Sequence, residues 1–340
     1  MLRLLLGLLV TIGALYYALR DIDCSTLLNH LFEADPLWMF LALLVFLLHY
    51  PFKALRWNLL VADYSPMSFR ESLTLNTASV FCVMVIPFRI GEFFRPFAMQ
   101  RRQGANPFTV FVSCMMERVL DGLVLALFFF LTLAFGDMTI ESIPGTTLSL
   151  TGFGYLALGG FGAVLILFVL FAAFGETSLA ILHRLAHYLP TRLAATTERT
   201  GEGLLVGVKI LARRGRFIGV ILYTFLFWLN LAVFTAICMQ AMGIVPTWSN
   251  TFFTVSLVVL GNTIPAAPGF IGTFQFFCRI ALVAHGVPAD LAVAFSLLYH
   301  AIQMVLILPL GGLALSVMSI GRKALGSMTE LDLEQSQAPR

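Results

Sequence analysis

The residues best suited to chemistry lie in two short stretches. The first reads Pro87-Phe88-Arg89-Ile90-Gly91-Glu92-Phe93-Phe94-Arg95. A guanidinium fork is a good bidentate phosphate ligand, so Arg89 and Arg95 could grip a phosphate, with Glu92 pairing to one of them or carrying a proton. The second reads Glu117-Arg118-Val119-Leu120-Asp121 and opens the apolar run LVLALFFFLTLAF. At this spacing Glu117 and Asp121 share one helix face, and Arg118 reaches Asp121. Each stretch also has a plain reading. The first could be a cytoplasmic loop with snorkelling arginines. The second could be a solvated helix start, where acids suit the dipole, rather than an acidic face that pairs with Arg89 and Arg95.

The surroundings of these charges are almost entirely apolar. Hydrophobic residues make up 59% of the 340, charged residues only 11%, and mean hydropathy is +0.91. Soluble domains carry about 25% charged residues, so this chain is predicted to be an all-α polytopic membrane protein. A charge at the centre of a membrane helix costs about 2.5–3.5 kcal/mol, and three facing lipid would cost roughly 8–10 kcal/mol. The charges must therefore sit at an interface or line a polar cavity. A net charge of +3 gives nucleic-acid binding no support. The five cysteines form no CxxC pair and read as packing residues, and the six histidines have no ligand spacing, so neither a metal nor a cofactor is expected. No GxSxG, HExxH, Walker A or GxGxxG motif occurs, which weakens an enzymatic reading and leaves an intramembrane enzyme as a third option.

A crossing needs about 20 apolar residues. Six stretches are predicted to span: 2–19, 37–60, 108–136, 152–174, 217–242 and 290–318. The first, after Arg3, also has the form of a cleaved signal peptide. Two further apolar regions are interrupted, 72–100 at IPFRIGE and 251–287 at IPAAPG. Loop charges assign sides: 20–36 is acidic and outside, while 53–70, the arginines from Arg89 to Arg118, 176–216 and the end of the last span are basic and inside. Successive loops on one side require both interrupted regions to be re-entrant helical hairpins. The competing reading makes 72–87 a short span with a basic loop behind it. The halves, about 1–145 and 146–325, then repeat with opposite sense, as in many transporters. Both ends of the chain are predicted inside. Segment 176–216 reads as amphipathic helices on the cytoplasmic interface, and 326–340 as a disordered polar tail.

The second hairpin contains Pro265, Pro268, Gly269 and Gly272, followed by Gln275 and Arg279. Free amides where its second arm restarts could meet an anion, or the turn could be purely structural. Tyr299, His300 and Gln303 are polar residues within the last span and are predicted to face the interior. His49 with Pro51 marks a kink in the second span.

The combination of motifs resembles the lysylphosphatidylglycerol synthase transmembrane family, the flippase-like domain of the bacterial multiple peptide resistance factor. The resemblance rests on Arg56-Trp57, on Pro87-x-Arg89-x-Gly91-Glu92-x-x-Arg95, on Glu117-Arg118-x-x-Asp121, on Pro265-x-x-Pro268-Gly269-x-x-Gly272, and on Pro309 with Gly312, and it covers roughly 5–320. The chain departs from the family pattern at Gln275, where Glu is usual, and at His300, where Arg follows the tyrosine. The resemblance implies lipid translocation at a bacterial inner membrane. With no soluble transferase domain after the last helix, it implies no synthase activity. Related domains in archaeal glycosyltransferases keep polyprenyl-phosphate lipids in view beside anionic or amino-modified phospholipids. In this reading Arg89 and Arg95 hold the phosphate between the two hairpins, and Glu92, Glu117, Arg118 and Asp121 complete the headgroup site. The rival is an adaptor for a membrane or cytoplasmic lipid- or glycan-modifying transferase.

Overall fold

The structure is a computed structural model, and it describes residues 2–136, 150–174, 177, 184, 205, 214–264 and 267–318. Every described element is a helix. In chain order they are α1 (Leu2–Leu19), α2 (Cys24–Phe32), α3 (Pro36–Leu47), α4 (His49–Val61), α5 (Phe69–Val85), a 3₁₀ turn (Pro87–Phe93), α6 (Phe94–Gln103), α7 (Pro107–Phe135), α8 (Leu150–Ala173), α9 (Arg214–Ala241), α10 (Trp248–Gly261), a 3₁₀ turn (Pro268–Phe270), α11 (Thr273–Val283) and α12 (Ala289–Val317).

Local chemistry sets the boundaries. Asp35 caps α3 ahead of Pro36, Asn106 caps α7 ahead of Pro107, and Ser68 with Glu71 forms a capping box on α5. The expected kink falls at Leu48, between α3 and α4. Pro51 there lacks the amide that would bond back to the carbonyl of Leu47.

Among the described residues, four helices are long and apolar enough to cross a membrane: Pro36–Val61, Pro107–Phe135, Gly215–Ala241 and Ala289–Val317. These match four of the six predicted spans. The other two, 2–19 and 152–174, are helical as predicted but are not among these four. The predicted interfacial helices 176–216 and the tail 326–340 lie almost wholly outside the described residues, as does Pro265.

Contacts at the helix ends give the chain direction. At one end Arg216 pairs with Asp63, and the Ser65 hydroxyl donates to the Gln103 side chain. At the other, the Asp35 amide donates to the Ala241 carbonyl at 2.9 Å, and His30 meets Asp290 at 3.2 Å. Segment 69–103 therefore leaves and returns at the first end, since Ser65 precedes α5 and Gln103 closes α6. Segment 248–283 does the same at the opposite end, where Ser249 and His285 are 2.9 Å apart. The two helical hairpins point at each other, and their tips touch. Arg89 donates to the carbonyl of Asn262 at 3.2 Å and lies 5.6 Å from the centre of the Phe270 ring.

Close packing holds these arms. A Cβ on Gly91 would lie 2.3 Å from the Cys82 carbonyl carbon, so only glycine lets the first tip fold back on α5. Gly272 has φ +91, and a Cβ there would stand 2.7 Å from the carbonyl oxygen of Thr11 on α1. Gly311 seats Phe81, and Gly122 seats Phe161, in the way small residues let membrane helices approach. Arg279 donates to the Tyr17 and Ala18 carbonyls at the end of α1, satisfying acceptors a helix leaves open.

Gly91→Val is expected to lower stability by at least about 1–3 kcal/mol, because backbone must move to admit the side chain. Gly160→Ala, with open space around it, should leave the unfolding midpoint in detergent unchanged.

Candidate functional site

The candidate site is an ion-pair cluster inside the bundle, built by α4, the first hairpin and α7. Glu117 is its centre. Glu117 is fully buried, accepts from Lys53 at 2.8 Å and from Arg95 at 2.7 Å, and forms an ion pair with Arg56 at 3.0 Å. Arg56 also pairs with Asp121, which takes the Trp228 indole N–H at 2.8 Å. Arg95 stacks over Trp57 at 4.2 Å and Arg56 over Phe227 at 4.9 Å, so aromatic faces cover the guanidinium planes. Asn76 on α5 accepts from Arg95 at 3.3 Å.

The helical spacing explains why these groups meet. Tyr50, Lys53, Ala54, Trp57, Leu60 and Val61 recur every three or four residues, and with Arg56 they are the buried side of α4. Glu117 and Asp121 are one turn apart on α7, facing that side.

A second layer faces a cavity of about 250 Å³ lined by Arg89, Glu92, Arg118 and Asp121 together with Phe161, Trp228, Leu260 and Thr263. Glu92 bridges Arg118 at 3.2 Å and Arg89 at 3.4 Å. The cavity lies where the first hairpin tip, α7 and the end of α10 converge, so both hairpins contribute to its wall.

One sequence reading changes, and two open alternatives are decided. Lys53 and Arg56 were assigned to an inside loop, yet they sit buried in α4 and serve as partners of Glu117 and Asp121. A charge can satisfy the positive-inside count or a buried carboxylate, and here it does the latter. Glu117 is no solvated helix start, because α7 begins at Pro107. Of the two readings of the second turn, an anion-facing amide or a structural turn, the Gly272 amide fits the structural one, since it donates to the Gln275 side chain at 2.8 Å.

The other predicted residues divide. Arg95, Glu117 and Asp121 form the buried cluster, while Arg89, Glu92 and Arg118 line the cavity with Asp121. Pro87 and Gly91 form the first tip, and Pro268 and Gly269 the second. Tyr299 and His300 are buried as predicted, in a polar network apart from these ion pairs: Tyr299 bonds Thr235 at 2.9 Å, and His300 meets Gln275 at 3.2 Å. The two positions that depart from the family pattern thus touch each other. Sequence reasoning gave no role to Asn76 or Trp228. For Lys53 and Arg56 the signal was the unbroken helical period running through to Val61. Among the described residues, no group of three or more histidine, cysteine or acidic residues is placed to hold a metal ion.

Breaking a buried pair from one side leaves an uncompensated charge. Glu117→Gln is therefore expected to cost about 3–5 kcal/mol, read as a fall in unfolding midpoint. Adding Arg95→Met should recover part of the loss, because one of the stranded cations is then gone.

The chain is 26% identical to the protein named glycosyltransferase AglD of Haloferax volcanii, in an alignment covering 87% of this chain and 51% of that protein. The chain thus spans about half the length of that relative. No solved structure matches. The family model described as lysylphosphatidylglycerol synthase TM region matches residues 4–311, and the chain belongs to that family.

Proposed function

We propose that the protein is a lipid translocase that takes the charged headgroup of a membrane lipid into the cavity between its two hairpins while the tails stay in the bilayer. The observation that carries this reading is the cavity itself: arginines and carboxylates lining an apolar bundle where two broken helices meet. A structural anchor has no use for such groups, whereas a pathway for a charged headgroup does.

In this reading the end bearing Arg70, Arg101, Arg102 and Arg216 faces the cytoplasm of a bacterial inner membrane. α1 and α8 join the four long helices as crossings. Each hairpin enters from one face and returns to it, and the two halves form an inverted repeat. The irregular tips are tolerated at depth because they pack on protein rather than lipid.

Arg89 gives the mechanism a moving part. It binds the Asn262 carbonyl of the opposite hairpin and lines the cavity. A phosphate is a stronger acceptor for guanidinium than a neutral carbonyl. An arriving headgroup draws Arg89 off Asn262 and releases one tip from the other, which lets the cavity open toward the far leaflet. Arg95 acts behind it as a positioning residue, holding the hairpin arm to Glu117.

A second reading is favoured by the relative's name. The chain aligns with about half of a protein named a glycosyltransferase. A membrane scaffold that presents a lipid to such an enzyme would need the cavity without moving the lipid.

Leaflet exchange of fluorescent anionic lipids in proteoliposomes tests the proposal. Wild-type protein should exceed empty liposomes, and Arg89→Gln should slow exchange about tenfold or more, the loss of one charged hydrogen bond. Exchange no faster than in empty liposomes, with a transferase copurifying in equal amount, would instead establish the scaffold.

A further inference from the structure

The charges of the site do not balance. Among the described residues, the carboxylates paired with Lys53, Arg56, Arg89, Arg95 and Arg118 are Glu92, Glu117 and Asp121. Five cations against three carboxylates leave two positive charges in excess among the described residues; the four charged groups on the cavity wall, Arg89, Glu92, Arg118 and Asp121, balance, so the excess sits in the buried cluster directly behind that wall.

The carboxylates are fully engaged. Glu117 serves Lys53, Arg56 and Arg95, Asp121 serves Arg56 and Trp228, and Glu92 serves Arg89 and Arg118. An ammonium group entering the cavity would have to displace an arginine, and it would raise the excess to three. Arg118 stands in the opposite position. Its Nε donates to Glu92, but its two terminal nitrogens lie 3.8 Å from Asp121 and 4.0 Å from Glu117, beyond hydrogen-bond length. The side chain is about a third exposed on the cavity wall.

We infer that the cavity selects a headgroup ending in a phosphomonoester, over a phosphodiester and over a cationic aminoacylated headgroup. This rests on the lipid-handling reading above and names its substrate class. A phosphomonoester carries about −1.5 to −2 charges near pH 7 with a second pKa of about 6. It cancels an excess of two, whereas a phosphodiester cancels one and an aminoacyl ester of a phosphodiester lipid cancels none. Its terminal oxygens also match the guanidinium fork of Arg118, with Arg89 beside it.

The test is lipid binding to the purified full chain in nanodiscs, followed by native mass spectrometry. The probes are dioleoyl phosphatidate and a polyprenyl monophosphate, which share the headgroup on different tails, with dioleoyl phosphatidylglycerol and its lysyl ester. At about pH 7.5 at least one monophosphate should bind about tenfold or more tighter than phosphatidylglycerol, and the advantage should shrink at about pH 5.5 as the dianionic headgroup takes up one proton and becomes a monoanion. If only one monophosphate binds, the class stands and the tail identifies the source. Arg118→Gln should lose about tenfold in monophosphate affinity. Glu92→Gln raises the positive excess and should tighten monophosphate binding, a gain that damage to folding would not produce. Phosphatidylglycerol or its lysyl ester binding as tightly as both monophosphates, or no lipid binding at all, would overturn the inference. Tight monophosphate binding without leaflet exchange sinks the translocase and leaves the headgroup class standing. Exchange of phosphatidylglycerol with no monophosphate preference does the reverse.

Discussion

The buried carboxylate of Glu117 is the constraint on which the first half of the bundle depends. One side chain on α7 takes Lys53 and Arg56 from α4 and Arg95 from the returning arm of the first hairpin. Inside an apolar bundle no water replaces a lost partner, so these distances admit little freedom. Holding Arg95 holds α6, and with α6 held the preceding turn can only fold back on α5, where Gly91 leaves room. The position of Arg89 and Glu92 follows from that fold. Arg56 carries the same network on to Asp121 and, through Trp228, to α9.

The tips are where the two hairpins share a burden. Arg89 and Phe270 both adopt left-handed backbone, at φ +59 and +55, and they face each other across the junction. Residues other than glycine seldom hold such angles unless their surroundings over-determine them. Such a contact is stiff while made, because the packing around it holds both residues at these angles.

The two hairpins are unlike in chemistry. The first brings arginines and a glutamate. The second brings a carbonyl, an aromatic ring and a polar Gln275–His300 contact, and it is braced by α1 through Thr11, Gly272 and Arg279. Of the two hairpins only the first puts charged groups on the cavity wall, Arg89 and Glu92, so that wall is asymmetric. Gln275 and His300 touch at 3.2 Å, and a charge at only one of these buried positions would lack a partner.

Much of the fold was legible in the residues. Long apolar runs, the Ile-Pro breaks followed by glycine, and the capping residues at Asp35, Ser68 and Asn106 are local signals, and local signals are what a sequence displays. The acidic pair Glu117 and Asp121 was legible too, because a helix repeats every 3.6 residues. What the sequence alone could not decide was which cations those acids would take. Lys53 and Arg56 stand about sixty residues away and look like the basic end of a loop, and Arg95 looks like an equal partner of Arg89. Only the tertiary structure separates them, placing Arg95 in the buried cluster and Arg89 on the cavity wall. The physical reason is that pairing between buried charges depends on distance in space, and helix packing sets that distance with no trace in the local pattern.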